Sequence, residues 1–168
     1  NLNIRIKKGD CVAIIGKVGC GKSSLLSALL GEMYFCEGTK LSISSKIAYV
    51  SQQPWTVGQT IRENILMGFP YDALRFQEAL KLSCFLEDLE YLPNRELTIV
   101  GNRGVNLSGG QKTRLAIARA FYSDSEIYLL DDVLSALDIN VGRSLMEDLV
   151  LRRLKGKTVV MATHDRSI

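Results

Sequence analysis

Apolar and polar positions fall into three patterns in the first fifty residues of the chain. Asn1 to Ile6 alternates with the period of a strand, and Lys8-Gly9-Asp10 reads as a turn. Cys11 to Ile15 is a nearly continuous apolar run, which predicts a strand buried on both faces of a parallel sheet. From Ser23 to Leu30 the leucines at 25, 26, 29 and 30 return at helical spacing, and Gly31 can end that helix. Lys46 to Val50 predicts another strand.

Beyond Thr60 the period changes. Ile61, Ile65 and Leu66 share one helical face, and Ala73 to Leu82 and Phe85 to Leu89 predict two further helices. Ser108 opens a longer helix running to about Tyr122. A strand (Ile127 to Leu130), a helix (about Asn140 to Leu151) and a last strand (Thr158 to Ala162) follow. Strands separated by helices predict an α/β fold with a mainly parallel sheet. The expected layout is one domain over 1–168, with a core at about 1–54 and 112–168 and a helical subdomain inserted at about 55–111.

Composition narrows the class only a little. With 168 residues, 46% hydrophobic and 23% charged, the chain is an ordinary globular domain long enough to bury a core. Lys and Arg number 21 against 18 for Asp and Glu, a net charge of +3 that gives no reason to expect nucleic acid as a partner. No run nears the roughly 18 apolar residues of a membrane-spanning helix, and the first ten residues do not read as a signal peptide. Cysteines at 11, 20, 36 and 84 form no C-x-x-C pair, and a single histidine is too few for a zinc site. A reduced, cytosolic setting is therefore expected. Both ends are abrupt, as in a piece of a longer protein.

Gly16-Lys17-Val18-Gly19-Cys20-Gly21-Lys22-Ser23 lies between the apolar run and the first helix. Glycine is the costliest residue to order, so such a cluster marks a backbone that must approach something closely. The spacing G-x-x-x-x-G-K-S in a strand–loop–helix setting is that of a phosphate-binding loop. Backbone N–H groups from Gly16 to Ser24 would turn inward as a concave anion nest, and the helix adds its positive end. Lys22 would place a point charge on the β- and γ-phosphates, and the Ser23 hydroxyl would ligate Mg²⁺. The plain alternative is a glycine-rich turn. Asp131 and Asp132 end an apolar strand at its carboxyl edge, where open α/β sheets bind ligands. Asp131 would hold the metal directly or through water; the alternative is a pair of aspartates in a surface turn.

Leu107-Ser108-Gly109-Gly110-Gln111, ahead of Asp131 in the chain, resembles the signature of ABC-type ATPases. Gln52 in Ser51-Gln52-Gln53-Pro54 is similar to their Q-loop, Ser135-Ala136-Leu137-Asp138 to their D-loop, and His164 to their switch histidine. Gly31-Glu32-Met33, Thr60 to Leu66 and Asp131 to Asp138 further resemble the first nucleotide-binding domain of C-subfamily transporters, the multidrug-resistance-associated proteins. The resemblance covers essentially the whole chain. It implies a P-loop NTPase with an ABC-type core, an ATPase that uses ATP and Mg²⁺. It also implies a second nucleotide-binding domain and transmembrane domains as partners, at the cytosolic face of a membrane. By the same resemblance Ser108, Gly109, Gly110 and Gln111 would grip the γ-phosphate of ATP held by the opposite domain. Gln52 would touch metal or water, Asp132 and His164 would serve catalysis, and Ser135, Ala136, Leu137 and Asp138 would pass signals between the paired domains. Trp55, Ile65, Leu66 and Met67 would either form an apolar coupling surface or pack internally.

The chain also departs from the pattern. The family's hydrolytic base is a glutamate immediately after the metal aspartate, and here that position is Asp132. One methylene fewer draws the carboxylate back by about 1 Å, a displacement that can cost on the order of a hundredfold in rate. A slow site at this chain's own P-loop is expected, beside an intact signature that serves the partner's site. Val133 stands where many relatives have proline, with a modest effect on loop stiffness. No aromatic residue precedes Gly16, so the residue that stacks on adenine in the family would lie upstream. Two rival readings stay open: an ATP-gated regulatory domain of a channel or receptor, and a soluble, non-transport ABC ATPase.

Overall fold

Four short apolar segments pair, all in parallel, into one sheet: β1 (Cys11–Ile15), β2 (Ile47–Val50), β3 (Ile127–Asp131) and β4 (Thr158–Thr163), in the spatial order β1-β4-β3-β2. The computed structural model describes residues 2–38, 41–43, 45–101, 104–147, 154 and 156–165. Helices α1 (Lys22–Leu29), α2 (Ile61–Leu66), α3 (Ala73–Leu82), α4 (Leu86–Glu90), α5 (Gly109–Tyr122) and α6 (Ile139–Ser144) connect the strands. The predicted α/β class, the parallel sheet and the run of helices between β2 and β3 are therefore present.

Alternation along the strands divides the core between two faces. Ala48, Val50, Tyr128, Leu130, Val159 and Met161 point to one side, where α5 covers the sheet. Tyr49, Leu129, Val160 and Ala162 point to the other, against Leu26 of α1. Helix α5 is buried along most of its second half, with Leu115 to Ala118 and Ala120 to Tyr122 buried, because the sheet, α2 and α3 pack around it. Helix α1 ends as its sequence suggests. Gly31 takes φ +77°, and the N–H groups of Gly31 and Glu32 close on the carbonyls of Ala28 and Ser27.

Three expectations need correction. Residues 2–6 form no strand, and Leu2 and Ile4 are exposed, because no neighbouring strand among the described residues offers them a ladder. Strand β1 is not buried on both faces. It lies at the sheet edge, only Val12 and Ile14 turn toward α1, and Ile15 is 51% exposed on the side that α5 does not reach. The helix expected at about 140–151 is seen as Ile139–Ser144 followed by a wider turn to residue 147; its remainder lies outside the described residues. Two single-turn 3-10 helices, Arg95–Leu97 and Val133–Ala136, had no periodic signature to announce them.

The segment between β2 and α2 has little apolar content and is held instead by one buried amide. Asn64, fully buried, accepts from the Val57 N–H at 2.9 Å and donates to the carbonyls of Val57 at 3.0 Å and Thr60 at 2.9 Å. The Arg119 Nε–H of α5 donates to the Asn64 carbonyl at 2.8 Å, and its guanidinium lies 3.9 Å from the Trp55 ring centre. Burial pulls the Arg119 pKa down to about 10, which still leaves it charged at neutral pH. Asn64→Ala strands several buried backbone groups at once and is expected to cost about 2–4 kcal/mol. Urea denaturation of the two forms measures this, and an unchanged midpoint would contradict the role given to the amide.

Candidate functional site

Register brings the loops together. Ile15 pairs with Thr163, Ala162 with Asp131 and Leu130 with Val50, so the four strands end within two residues of one another at their carboxyl edge. The next residues are Gly16 after β1, His164 after β4, Asp132 after β3 and Ser51 after β2. Gly16 and Asp132 thus emerge two strand spacings apart, roughly 10 Å.

The loop after β1 has the shape of an anion nest. Gly19 and Gly21 take φ of +82° and +94°, a region costly for other residues. The Gly16 N–H is tied to the Thr163 carbonyl at 3.2 Å, and a Cβ built on Gly16 would come within 2.6 Å of Cys20 Sγ. Gly21 caps α1 without a side-chain bond, which leaves the first N–H groups of that helix to an outside acceptor. Lys22 Nζ folds back on the loop's own carbonyls, donating to Gly16 at 2.8 Å and Lys17 at 3.1 Å. Ser23 and Ser24, in the first turn of α1, are exposed, as are Lys17 and Val18.

Across the sheet, Asp131 is 2% exposed and its Oδ1 has no partner. Its Oδ2 accepts from the Tyr49 hydroxyl at 3.3 Å. Burial first, and then the Asp131 charge, push the Tyr49 pKa up to about 12, so the phenol stays a donor throughout the physiological range. An orphaned carboxylate oxygen in a buried position fits a cation. No group of three or more His, Cys, Asp and Glu side chains converges among the described residues. A metal here would therefore be shared with phosphate and with the Ser23 hydroxyl, the mode Mg²⁺ favours, rather than caged by side chains.

Asp132 is the meeting point of three chain segments. Its carboxylate lies 3.0 and 3.2 Å from His164 Nδ1, through Oδ1 and Oδ2, and accepts from Gln52 Nε2 at 3.4 Å. A carboxylate accepts, so Nδ1 carries a ring proton, on a side chain that is 48% exposed. Asp132 adopts φ +49°, a conformation of the kind that costs about 1–3 kcal/mol and gathers at functional sites. Its carbonyl accepts the Ser135 N–H and hydroxyl at 3.3 and 2.7 Å, and its N–H is held by the Ala162 carbonyl at 2.8 Å. Ser135 and Ala136 lie in the 3-10 turn, and Asp138 caps α6 through Val141 N–H. Leu137 is half-buried against the core.

Helix α5 opens with a reciprocal cap. The Gln111 N–H donates to Ser108 Oγ at 3.2 Å, and the Ser108 N–H donates to Gln111 Oε1 at 2.9 Å. Ser108 Oγ keeps its own proton for an outside acceptor, and Ser108 and Gly109 are exposed at the positive end of a 14-residue helix. Gln111 itself faces back into the fold, donating to Asp88 at 3.2 Å, so its side chain braces the turn. Of the four residues expected either to form an apolar surface or to pack internally, Ile65 is core and Leu66 packs on it, while Trp55 and Met67 are exposed. Sequence reading missed Tyr49, Asp88 and Arg114. Only their contacts set them apart from other strand and helix residues.

A parallel α/β sheet, a glycine-rich anion loop at the end of one strand and a buried aspartate at the end of another define the class of P-loop nucleoside triphosphatases. The ABC transporter family model matches residues 1–135, and the chain belongs to the ABC transporter family. It is 49% identical over 98% of its length to ATP-binding cassette sub-family C member 3 of Mus musculus. It is 47% identical over 98% to ABC transporter C family member 9 of Arabidopsis thaliana, and 46% over 97% to ATP-binding cassette sub-family C member 4 of Homo sapiens. The chain spans only 11 to 12% of the length of these relatives. ATP-binding domains of this family are in general ATPases that bind ATP with Mg²⁺.

If Lys22 turns to phosphate as its motif position implies, Lys22→Ala removes one charge-assisted contact worth about 1.5–3 kcal/mol, and MgATP affinity should fall roughly 10- to 100-fold. The carbonyls that Lys22 now touches can be taken over by water, so the thermal midpoint should hold within about 3 °C. Calorimetric titration and a melting curve read both quantities. Equal affinities would remove Lys22 from the site.

Proposed function

We propose that this chain is an ATP-binding domain of a C-subfamily ABC transporter, the first of two, and that it works as one half of an ATP sandwich. Nucleotide binding and hydrolysis in the pair would drive transport through attached transmembrane domains, with the chain at the cytosolic face of the membrane. What carries the reading is the alignment of four strand ends, which sets the P-loop, His164, the Asp131–Asp132 pair and Gln52 side by side. The domain division belongs to the proposal: a core at about 1–54 and 112–168, and a helical part at about 55–111 that meets the transmembrane side. Its support is that α2, α3 and α4 lie between β2 and α5 in the chain, with Trp55 and Met67 exposed at its start.

The proposed roles draw their support from the geometry. Gly16 to Ser24 would cradle the phosphates of ATP, with Lys22 turning from its own loop to the β- and γ-oxygens. Ser23, Asp131 and Gln52 would hold Mg²⁺, which supplies neutralising charge when bound. Ser108, Gly109 and Gly110 offer a hydroxyl proton and free N–H groups to the γ-phosphate of a nucleotide on the partner's P-loop, braced by Gln111. Two anion sites facing one nucleotide make the γ-phosphate the glue of the pair. Ser135 to Asp138, tied to Asp132 by Ser135, would pass the state of one site to the other.

Asp132 would act as the base; the contacts of its carboxylate with His164 and Gln52 support this reading. Its reach is short by one methylene, so turnover at this chain's own P-loop is proposed to be slow. That same residue favours one second reading, an ATP-gated regulatory domain in which binding matters more than turnover. Asp132→Glu should raise single-turnover hydrolysis at this site at least several-fold, toward the hundredfold that a displacement of about 1 Å allows. The measurement uses the assembled transporter with the partner's P-loop lysine removed. If hydrolysis is no faster with ATP fully bound, carboxylate reach does not limit the site.

A further inference from the structure

Asp88 is an acid with no part in the chemistry so far, yet its carboxylate accepts three hydrogen bonds from α5. It projects from α4, and only 13% of its side chain is exposed. Arg114 of α5 meets it with two parallel bonds, Nε to Oδ2 at 2.7 Å and Nη2 to Oδ1 at 2.9 Å. Oδ1 also accepts from Gln111 Nε2 at 3.2 Å. Gln111 in turn accepts the Ser108 N–H at 2.9 Å, so a continuous chain of bonds runs from Asp88 to the first residue of the exposed turn. The second branch ends at the same turn. A Cβ on Gly110 would lie 3.5 Å from Arg114 Nη1 and 3.2 Å from the Ala136 carbonyl, so the guanidinium backs the glycine and the glycine backs the 3-10 turn after Asp132.

A pair of this kind is a poor device for stability alone. Well-packed apolar residues in place of a buried ion pair are often as stable or more so. What the two-bond fork supplies is direction, because a planar guanidinium against a carboxylate has one favoured orientation. Here that orientation is imposed on the first turn of α5, whose free N–H groups and Ser108 hydroxyl must face an anion to be of use. Helix α5 has no acid of its own in that turn, and Arg114 matches the charge of Asp88, so the positive end is not cancelled.

We propose that Asp88 is a positioning residue for the ATP site of the partner domain. It fixes the aim of the Ser108–Gly110 turn relative to α4, and so sets how well the turn grips a γ-phosphate held on the opposite P-loop. The proposal rests on the sandwich reading given above.

The test uses the full-length transporter and reads two sites separately: kcat and KM for hydrolysis at the partner's P-loop, and nucleotide affinity at this chain's own P-loop. Asp88→Asn strands the Arg114 charge and can compromise folding. Asp88→Leu combined with Arg114→Met avoids this, because no unpaired charge stays buried. Both should lower kcat at the partner's site by about tenfold or more, within the hundredfold range of a misplacement near 1 Å. Affinity at this chain's P-loop should hold within about twofold, and Asp88→Glu, which keeps the carboxylate, should recover part of the lost rate. An unchanged kcat in the double variant overturns the proposal. So does a parallel loss of kcat and own-site affinity, which is what a merely structural pair would give. Gly109→Asp separates the two levels, since an added Cβ there meets nothing within 4 Å and the new carboxylate faces the incoming phosphate. If it leaves the partner's site active, the sandwich reading falls and takes the Asp88 proposal with it. If it silences that site while the Asp88 variants stay active, the Asp88 proposal falls alone.

Discussion

Two neighbouring carboxylates buried at the end of one strand set the terms for the rest of this molecule. Asp131 is 2% exposed and Asp132 is 8% exposed, at the last position of β3 and just beyond it. Removing an ionised carboxylate from water costs several kcal/mol unless partners replace the lost hydration. The two solve this differently. Asp132 is surrounded by partners: the His164 ring, the Gln52 amide and the Ala162 carbonyl from distant segments, and Ser135 from the turn that follows it. Asp131 receives one hydroxyl bond from Tyr49 and leaves its other oxygen bare. The bare oxygen is unfavourable in an isolated fold and sensible where a cation completes it.

The same economy governs the positive groups. The first turns of α1 and α5 carry free N–H groups and no acidic side chain. One end receives the phosphate loop, the other an exposed cap of Ser108 and Gly109. Beyond the Ser108–Gln111 cap, neither start is closed by a side chain among the described residues, and both suit an anion. A domain with one bare buried carboxylate oxygen and two exposed helix starts free of acidic side chains has groups that suit a cation beside anionic phosphate. The strained backbone at Asp132 belongs to this pattern, since positive φ is kept only where surrounding bonds determine it.

Much of this was legible in the sequence because local rules wrote it. The leucines of α1 and the stop at Gly31, the β3 run and the capping pattern from Ser108 each follow from period or propensity, and each lies within two residues of its predicted bounds. The P-loop could be read because anion binding needs glycine and lysine at fixed spacing. What stayed hidden depends on contacts between distant segments. Nothing local distinguishes Tyr49 from any other strand tyrosine, yet register sets β2 beside β3 and its hydroxyl against Asp131. Asp88 reads as an ordinary helix acid until α4 is docked on α5. The strand predicted at the start of the chain failed for the converse reason. Its alternation is right for a strand, but a strand exists only where a neighbour pairs with it.

If the Asp131 charge is held in reserve for a cation, replacing it with asparagine should relieve the fold and disable the site. Thermal unfolding of wild type and Asp131→Asn, with ATP and with or without Mg²⁺, tests this directly. Without nucleotide the variant should melt at the same temperature as wild type or a few degrees higher, by about 1–4 °C, because an unpaired buried charge is gone. With ATP, the extra stabilisation that Mg²⁺ gives the wild type should be absent from the variant. A variant less stable than wild type without nucleotide, but with the full Mg²⁺-dependent shift, would contradict the assignment.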